Sequence, residues 1–193
     1  MTPIDVLVQE HRLNEQVLNC LERMAEEGAR RGNLDAGLVS DAVAFFRTFV
    51  HSWHFPREEA YVGRAMAPEN PGRTEDLQFH DHERCRRHLQ EMEEAAAASA
   101  AGDRRAVDRF VEHAHAYVAV LMKHVEDEED RIFPAVERAL TEEREVEAVR
   151  ALRHAESQVT DRRGLKACVA AAHRLADRFN VPKAALSNAG EPV

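Results

Sequence analysis

The chain states one short pattern twice. His54-Phe55-Pro56-Arg57-Glu58-Glu59 and His124-Val125-Glu126-Asp127-Glu128-Glu129 both read His-x-x-x-Glu-Glu. Each is preceded by another histidine at nearly the same distance: His11 lies 43 positions before His54, and His82 lies 42 before His124. An acid comes directly before that histidine in both copies, as Glu10-His11 and Asp81-His82. The offset between copies is 71 at the first histidine and 70 at the second histidine and the glutamate. A period of that length fits a duplicated helical hairpin, and two hairpins make a four-helix bundle. On a helix, residues four apart share a face, so His54 points with Glu58 and His124 with Glu128. Imidazole nitrogen presented with carboxylate oxygen suits a first-row metal such as iron, manganese or zinc. Bundles build such sites from inward side chains of facing helices.

Apolar periodicity supports an all-α fold. Residues 5–29 carry Val6, Leu7, Leu13, Val17, Leu18, Leu21 and Met24 at threes and fours, with Asp5 as a cap and Gly28 to Asn33 as the stop. A second helix runs from Asp35 to Arg64, with Pro56 expected to kink or end its first part. Residues 66–74, with two prolines and a glycine, read as a loop. A third helix runs from Thr74 through the alanine-rich stretch to Gly102, and a fourth from Asp103 to Leu140 with a bend at Pro134. Both copies of the repeat are complete by Leu140. The expected organisation is therefore a bundle over 1–140, a helical extension packed on it over 141–180, capped by Thr141, and a disordered tail over 181–193.

Composition narrows the partners. A net charge of −9, with no concentrated basic face, argues against nucleic acid. No apolar run is long enough to span a membrane, and the N-terminus lacks the pattern of a signal peptide. Three scattered cysteines, Cys20, Cys85 and Cys168, read as reduced thiols and point to the cytoplasm.

The ligand set read from the repeat is His11, His54, Glu58, His82, His124 and Glu128. Six protein ligands are too few for two separate six-coordinate ions, but suffice for two metals if both glutamates bridge. On Glu10-His11, His54-x-x-x-Glu58-Glu59, Asp81-His82 and His124-x-x-x-Glu128-Glu129 followed by Ile132-Phe133-Pro134, residues 5–140 resemble the haemerythrin-like, or HHE cation-binding, family. The resemblance implies an up-down-up-down four-helix bundle around a non-haem centre of two iron ions, bridged by oxo, hydroxo or carboxylate groups. The four histidines would be terminal ligands and Glu58 and Glu128 bridges. Ligand type alone does not select iron over manganese or zinc.

The chain departs from the oxygen-carrying members of that family. Their second histidine on the third helix is here Arg86, and the matching place in the first copy is Glu15. Their fourth helix carries an aspartate five residues after the histidine, where this chain has Glu128 four after His124. One terminal ligand fewer leaves a more open centre. The resemblance thus implies a protein that binds and reacts with peroxide, dioxygen or nitric oxide in oxidative or nitrosative stress, as a catalase-like or nitric-oxide-reducing enzyme. The alternatives are reversible dioxygen or nitric oxide binding or sensing, and iron storage or donation for iron–sulfur repair. Glu15 and Arg86 are read as an ion pair capping the site, or Glu15 as an extra ligand. His51 and Tyr117 are candidates for groups lying just outside the ligands, with core packing as the plainer reading for both. A homodimer through residues 141–180 is a further expectation.

Overall fold

The computed structural model describes residues 2–66, 73–159 and 162–184; among these the chain is helical and contains no strand. Helix α1 spans Pro3–Arg31. Its cap is Thr2, not the expected Asp5. The Thr2 hydroxyl accepts from the Asp5 amide at 3.1 Å and the Asp5 carboxylate accepts from the Thr2 amide at 2.7 Å, a reciprocal capping box. The helix also runs past Gly28 and stops at Gly32, whose φ of 66° is the left-handed conformation that closes a helix without steric cost. Gly28 lies inside because Leu34 folds over it: a β-carbon there would stand 2.8 Å from Leu34 Cδ2.

Asp35 caps α2, Ala36–Phe45, by accepting from the Gly37 and Leu38 amides at 3.0 and 3.1 Å. The chain then continues through a π-helical segment, Phe46–His54, into α3, Phe55–Met66. The kink expected at Pro56 is thus a widening of the helix ahead of it. Proline has no N–H to give and its ring crowds the carbonyl one turn back, and a looser winding relieves both. The same device recurs: α5, Arg105–Asp127, passes through a π-helical turn, Glu128–Ile132, into α6, Phe133–Ala139, which opens on Pro134. The first π segment ends on His54 and the second begins on Glu128.

Helix α4 spans Arg73–Ala100 and gives way before Gly102, at φ 97°. Most of the expected 66–74 loop, residues 67–72, lies outside the described residues, as does the Phe79 side chain. Thr141 caps α7, Glu142–Gln158, accepting from the Arg144 amide at 3.4 Å, and α8 covers Arg162–Phe179. Of the expected tail, residues 181–184 are held: Val181 is buried and the Ala184 amide donates to Gln16 Oε1 at 2.6 Å. Residues 185–193 lie outside the described part.

Helix α5 packs on α1 and α4, and α3 on α4 and α6, as in a helical bundle; α7 lies along α3, and α8 against α1 and α2. Gln16 ties α8 down, donating to the Ala172 carbonyl at 2.8 Å. Among the described residues the apolar side chains form two separate clusters. The larger contains Leu18, Phe45, Phe46, Phe49, Phe110, Leu121 and the inner face of α8. The smaller contains Leu7, Tyr61, Val62, Phe133 and Val136, completed by Ala148 and Leu152 of α7. Burying each large side chain stabilises the fold by roughly 1.5–3 kcal/mol. Between the clusters lies a layer of buried polar residues. No helix among the described residues is long and apolar enough to cross a membrane.

Phe110 is fully buried in the larger cluster. Replacing it with alanine leaves a cavity as well as losing apolar burial, so F110A is expected to lower unfolding free energy by about 3–5 kcal/mol in urea denaturation.

Candidate metal centre

The polar layer is assembled from four helical stretches. Glu10 and His11 come from α1, His54, Glu58 and Glu59 from the junction of the first π segment with α3, His82 from α4, and His124, Glu128 and Glu129 from the junction of α5 with the second π turn. His11, His54, Glu58, His82 and Glu128 are wholly buried, and His124 is 3% exposed. Solvating so many titratable groups would be far cheaper than burying them without partners, so the layer must satisfy itself or hold a counter-ion.

The repeat brings all six residues together. His11 Nε2 is 3.2 Å from Glu128 Oε2, and His54 Nε2 is 3.4 Å from Glu58 Oε2. His82 Nε2 is 3.5 Å from Glu58 Oε1, and His124 Nε2 is 3.6 Å from Glu58 and 3.5 Å from Glu128. The Nε2 atoms of His82 and His124 face one another at 3.2 Å. Two ligand atoms held at about 2.1 Å from one ion stand roughly 3–3.5 Å apart, so these separations have the right scale. Two groups, His11 with His54 and Glu58, and Glu58 with His82 and His124, each place their ligand atoms within 4.8 Å of one another. Glu58 belongs to both.

What aims the rings was not read from the sequence. His54 Nδ1 lies 2.9 Å from Glu10, His11 Nδ1 2.9 Å from Glu129 and His82 Nδ1 2.6 Å from Glu59. A carboxylate can only accept, so each of these rings keeps a proton on Nδ1 and turns Nε2 inward, where a proton or a metal ion can be held. His11 Nε2 and His54 Nε2 are buried and make no hydrogen bond among the described residues. Imidazole nitrogens converging on carboxylates, in a buried layer, are a donor set that fits a divalent cation. The signal was present in the doubled glutamate of each motif and in the acid before His11. Asp81, the acid before His82, instead pairs with Arg84 at 3.0 Å.

Electrostatics carry the same message. Burial disfavours charge on His11, but Glu128 and Glu129 outweigh it and raise this imidazole to about 9. Burial is likewise overcome at His82, where Glu58 and Glu59 lift it to about 9. Burial pushes Glu128 up to about 7, helped by Glu58. Burial also resists the charge on Glu58, but His82 and His124 hold it well below the ordinary carboxylate range. Without a metal, protons supply the positive charge of the layer.

The outlying candidates are placed differently. The expected Glu15–Arg86 pair does not form. Arg12 engages Glu15 at 2.7 Å near the surface, while Arg86 binds Glu83 at 2.5 Å and approaches Glu59 at 3.7 Å. Each has a closer partner about one helical turn away on its own helix, and Glu15 therefore does not join the ligand cluster. Arg86 does touch the carboxylate that orients His82. Tyr117 is fully buried and packs on Phe46 at 4.6 Å, and its hydroxyl is 3.0 Å from His51 Nε2. Burial, aided by Arg86, depresses His51 to about 3, so the imidazole that meets the phenol is neutral. His51 reaches the centre only through rings: it stacks on Phe55 at 5.3 Å, which stacks on His82 at 3.6 Å. Phe133 stacks on His11 at 5.6 Å from the other side. The Cys85 thiol is fully buried and pushed upward by burial, which makes it inert.

Two further buried features escaped the sequence reading. Asn14, one turn from His11 on the inward line Leu7, His11, Asn14, Leu18, is buried with neither amide atom hydrogen-bonded among the described residues. Arg57 is fully buried, binds Glu10, and donates from Nε to Glu156 of α7 at 3.0 Å.

The raised imidazoles set a pH dependence. Because folding raises His11 and His82 from 6.5 to about 9, their stabilising contribution is complete below 6.5 and is lost as pH rises through 9. Metal-free protein is expected to melt at a lower temperature at pH 9 than at pH 6.5. Over the same interval a divalent cation, which competes with those protons, is expected to bind more tightly. Thermal scans and metal titrations at both pH values check the opposing trends.

Comparison with known proteins agrees with this geometry. No curated protein and no solved structure matches the chain. A family model does match, over residues 2–136, and its description is Hemerythrin HHE cation binding domain. With most of its length in that match, and the repeated histidines and glutamates gathered in one buried layer, the chain belongs to the hemerythrin HHE cation-binding domain family.

Proposed function

We propose that the chain is an up-down-up-down four-helix bundle over residues 1–140, with a packed helical extension, that holds two iron ions and reacts with small oxygen or nitrogen species. The observation that carries this reading is the convergence of four imidazoles and two carboxylates on one buried layer, with Glu58 shared between two ligand groups. His11, His54, His82 and His124 would be terminal ligands, and Glu58 and Glu128 would lie between the ions. Manganese or zinc would meet the same donors. The metals, when bound, supply electron transfer and Lewis acidity.

The protein's own residues do the rest. Glu10, Glu59 and Glu129 fix three of the imidazole rings. Phe55 and Phe133 press on the ring faces and exclude water. Arg86, standing where oxygen carriers place another histidine, leaves the coordination less crowded, which favours reaction with peroxide or nitric oxide over reversible oxygen carriage. Asn14 supplies a buried amide beside the ligands, and buried amides need partners. A small polar molecule held at the centre would provide one. Three buried free cysteines accord with a reducing, cytoplasmic setting.

Iron-loaded protein in a closed electrode cell is expected to evolve oxygen from hydrogen peroxide, and E58A/E128A is expected not to. Wild-type protein that holds two irons per chain yet releases no gas would overturn the peroxide reading and leave nitric oxide chemistry, gas binding or iron handling. A second outcome is expected of N14L, which keeps the branched shape but removes the amide. Iron content should be unchanged, while affinity for azide, followed by its charge-transfer absorption, should fall about tenfold, the worth of one buried hydrogen bond.

A further inference from the structure

We infer that the C-terminal extension is part of the metal centre, because Glu156 of α7 acts through Arg57 and Glu10 to fix the orientation of His54. The inference rests on the reading of His54 as a ligand, and concerns a residue outside the stretch that the family model matches.

The connection is continuous and buried. Glu156 is 3% exposed, and Arg57 and Glu10 are wholly buried. Arg57 donates from Nε to Glu156 Oε1 at 3.0 Å and from Nη1 to Glu10 Oε1, and its guanidinium lies 4.5 Å over the Trp53 ring. Glu10 Oε1 also accepts from Trp53 Nε1 at 2.8 Å, while Glu10 Oε2 accepts from His54 Nδ1 at 2.9 Å. One carboxylate oxygen of Glu10 is thus held by the cation and the indole, and the other holds the ligand ring. Glu156 in turn limits where the Arg57 fork can lie.

Docking a helix does not require these charges. Ala148 and Leu152 already bury the same side of α7 where it lies along α3. Buried ion pairs are poor stabilisers, since desolvation consumes most of their attraction. What the pairs add is direction: a guanidinium held by one carboxylate through Nε and giving Nη1 to another sets the second carboxylate more narrowly than apolar contact does.

The second copy of the repeat lacks the device. At the positions of Trp53 and Arg57 it carries Lys123 and Asp127, which pair with each other at 2.9 Å on the surface. At the position of Glu10 it carries Asp81, which is taken by Arg84. Glu156 therefore braces the His11–His54–Glu58 group and not the Glu58–His82–His124 group, and the two metal positions are unequal.

The test is release of ferrous iron from anaerobically loaded full-length protein to a chromophoric chelator, in wild type, E156Q and E156A. Loss of a ligand's direct outer partner costs 10–100-fold in metal affinity. Glu156 stands two links away, so E156A is expected to speed one release phase about tenfold and leave the other within twofold. The faster phase should be the one that H54A abolishes. E156Q, which keeps an acceptor for Arg57, should fall between and guards against a folding failure. L152A loosens α7 without touching the connection; it should lower the melting temperature of metal-free protein and leave both phases alone. Equal acceleration of both phases, or an E156 effect that simply tracks melting temperature as in L152A, overturns the inference. Wild-type protein that takes up no iron overturns the reading of the site itself, and is seen before any variant is compared.

Discussion

The structure depends on carboxylates that hold buried imidazoles from behind. A histidine side chain can turn about two bonds and carry its proton on either nitrogen. Glu10, Glu59 and Glu129 remove that freedom by accepting from Nδ1, and the nitrogen that remains must face inward. Everything else in the layer follows. Nε2 atoms that converge without protons repel one another's lone pairs, so they require protons or a cation. Glu58 and Glu128 supply the countercharge, and the helices approach closely enough for Glu58 to stand in both ligand groups.

The helices meet that demand by bending their own geometry. His54 and Glu128 each stand where regular α-helix changes to the wider π form, one at the end of a segment and the other at the beginning. In both cases a Phe-Pro pair follows. The proline forbids the ordinary hydrogen bond, the winding loosens, and the phenylalanine packs against a site ring, Phe55 on His82 and Phe133 on His11. A defect in the backbone is thus used to position both an imidazole or carboxylate and the apolar plate beside a neighbouring ring.

Much of this was legible in the sequence, and the reason is periodicity. A pattern repeated at an interval of 70 fixes which residues share a face and how many helices must meet. That alone gathers His11, His54, Glu58, His82, His124 and Glu128. Periodicity says nothing about side chains whose partners are distant and unrepeated. Arg57 and Glu156 are separated by 99 positions and have no counterparts in the second copy, so no spacing announces them. The Glu15–Arg86 pairing failed for the opposite reason: symmetry placed both one turn from a ligand, but each finds a closer partner on its own helix, Arg12 for Glu15 and Glu83 for Arg86. Glu59 and Glu129 were visible as letters, and only the need of each imidazole for an acceptor reveals their use.

The polar layer also divides the molecule. Among the described residues, Leu7, Tyr61, Phe133 and Leu152 pack on one side, and Leu18, Phe46, Phe110 and Leu175 on the other, as two clusters with no shared apolar seam. Cooperativity in a small protein normally travels through one continuous core. Here it must cross a sheet of charge, so the two ends of the bundle are joined by the helices that thread both and by whatever sits between them. An ion held in that layer would act as a rivet, tying the two ends to one another, and without it they would be coupled through the threading helices and the protons of the layer.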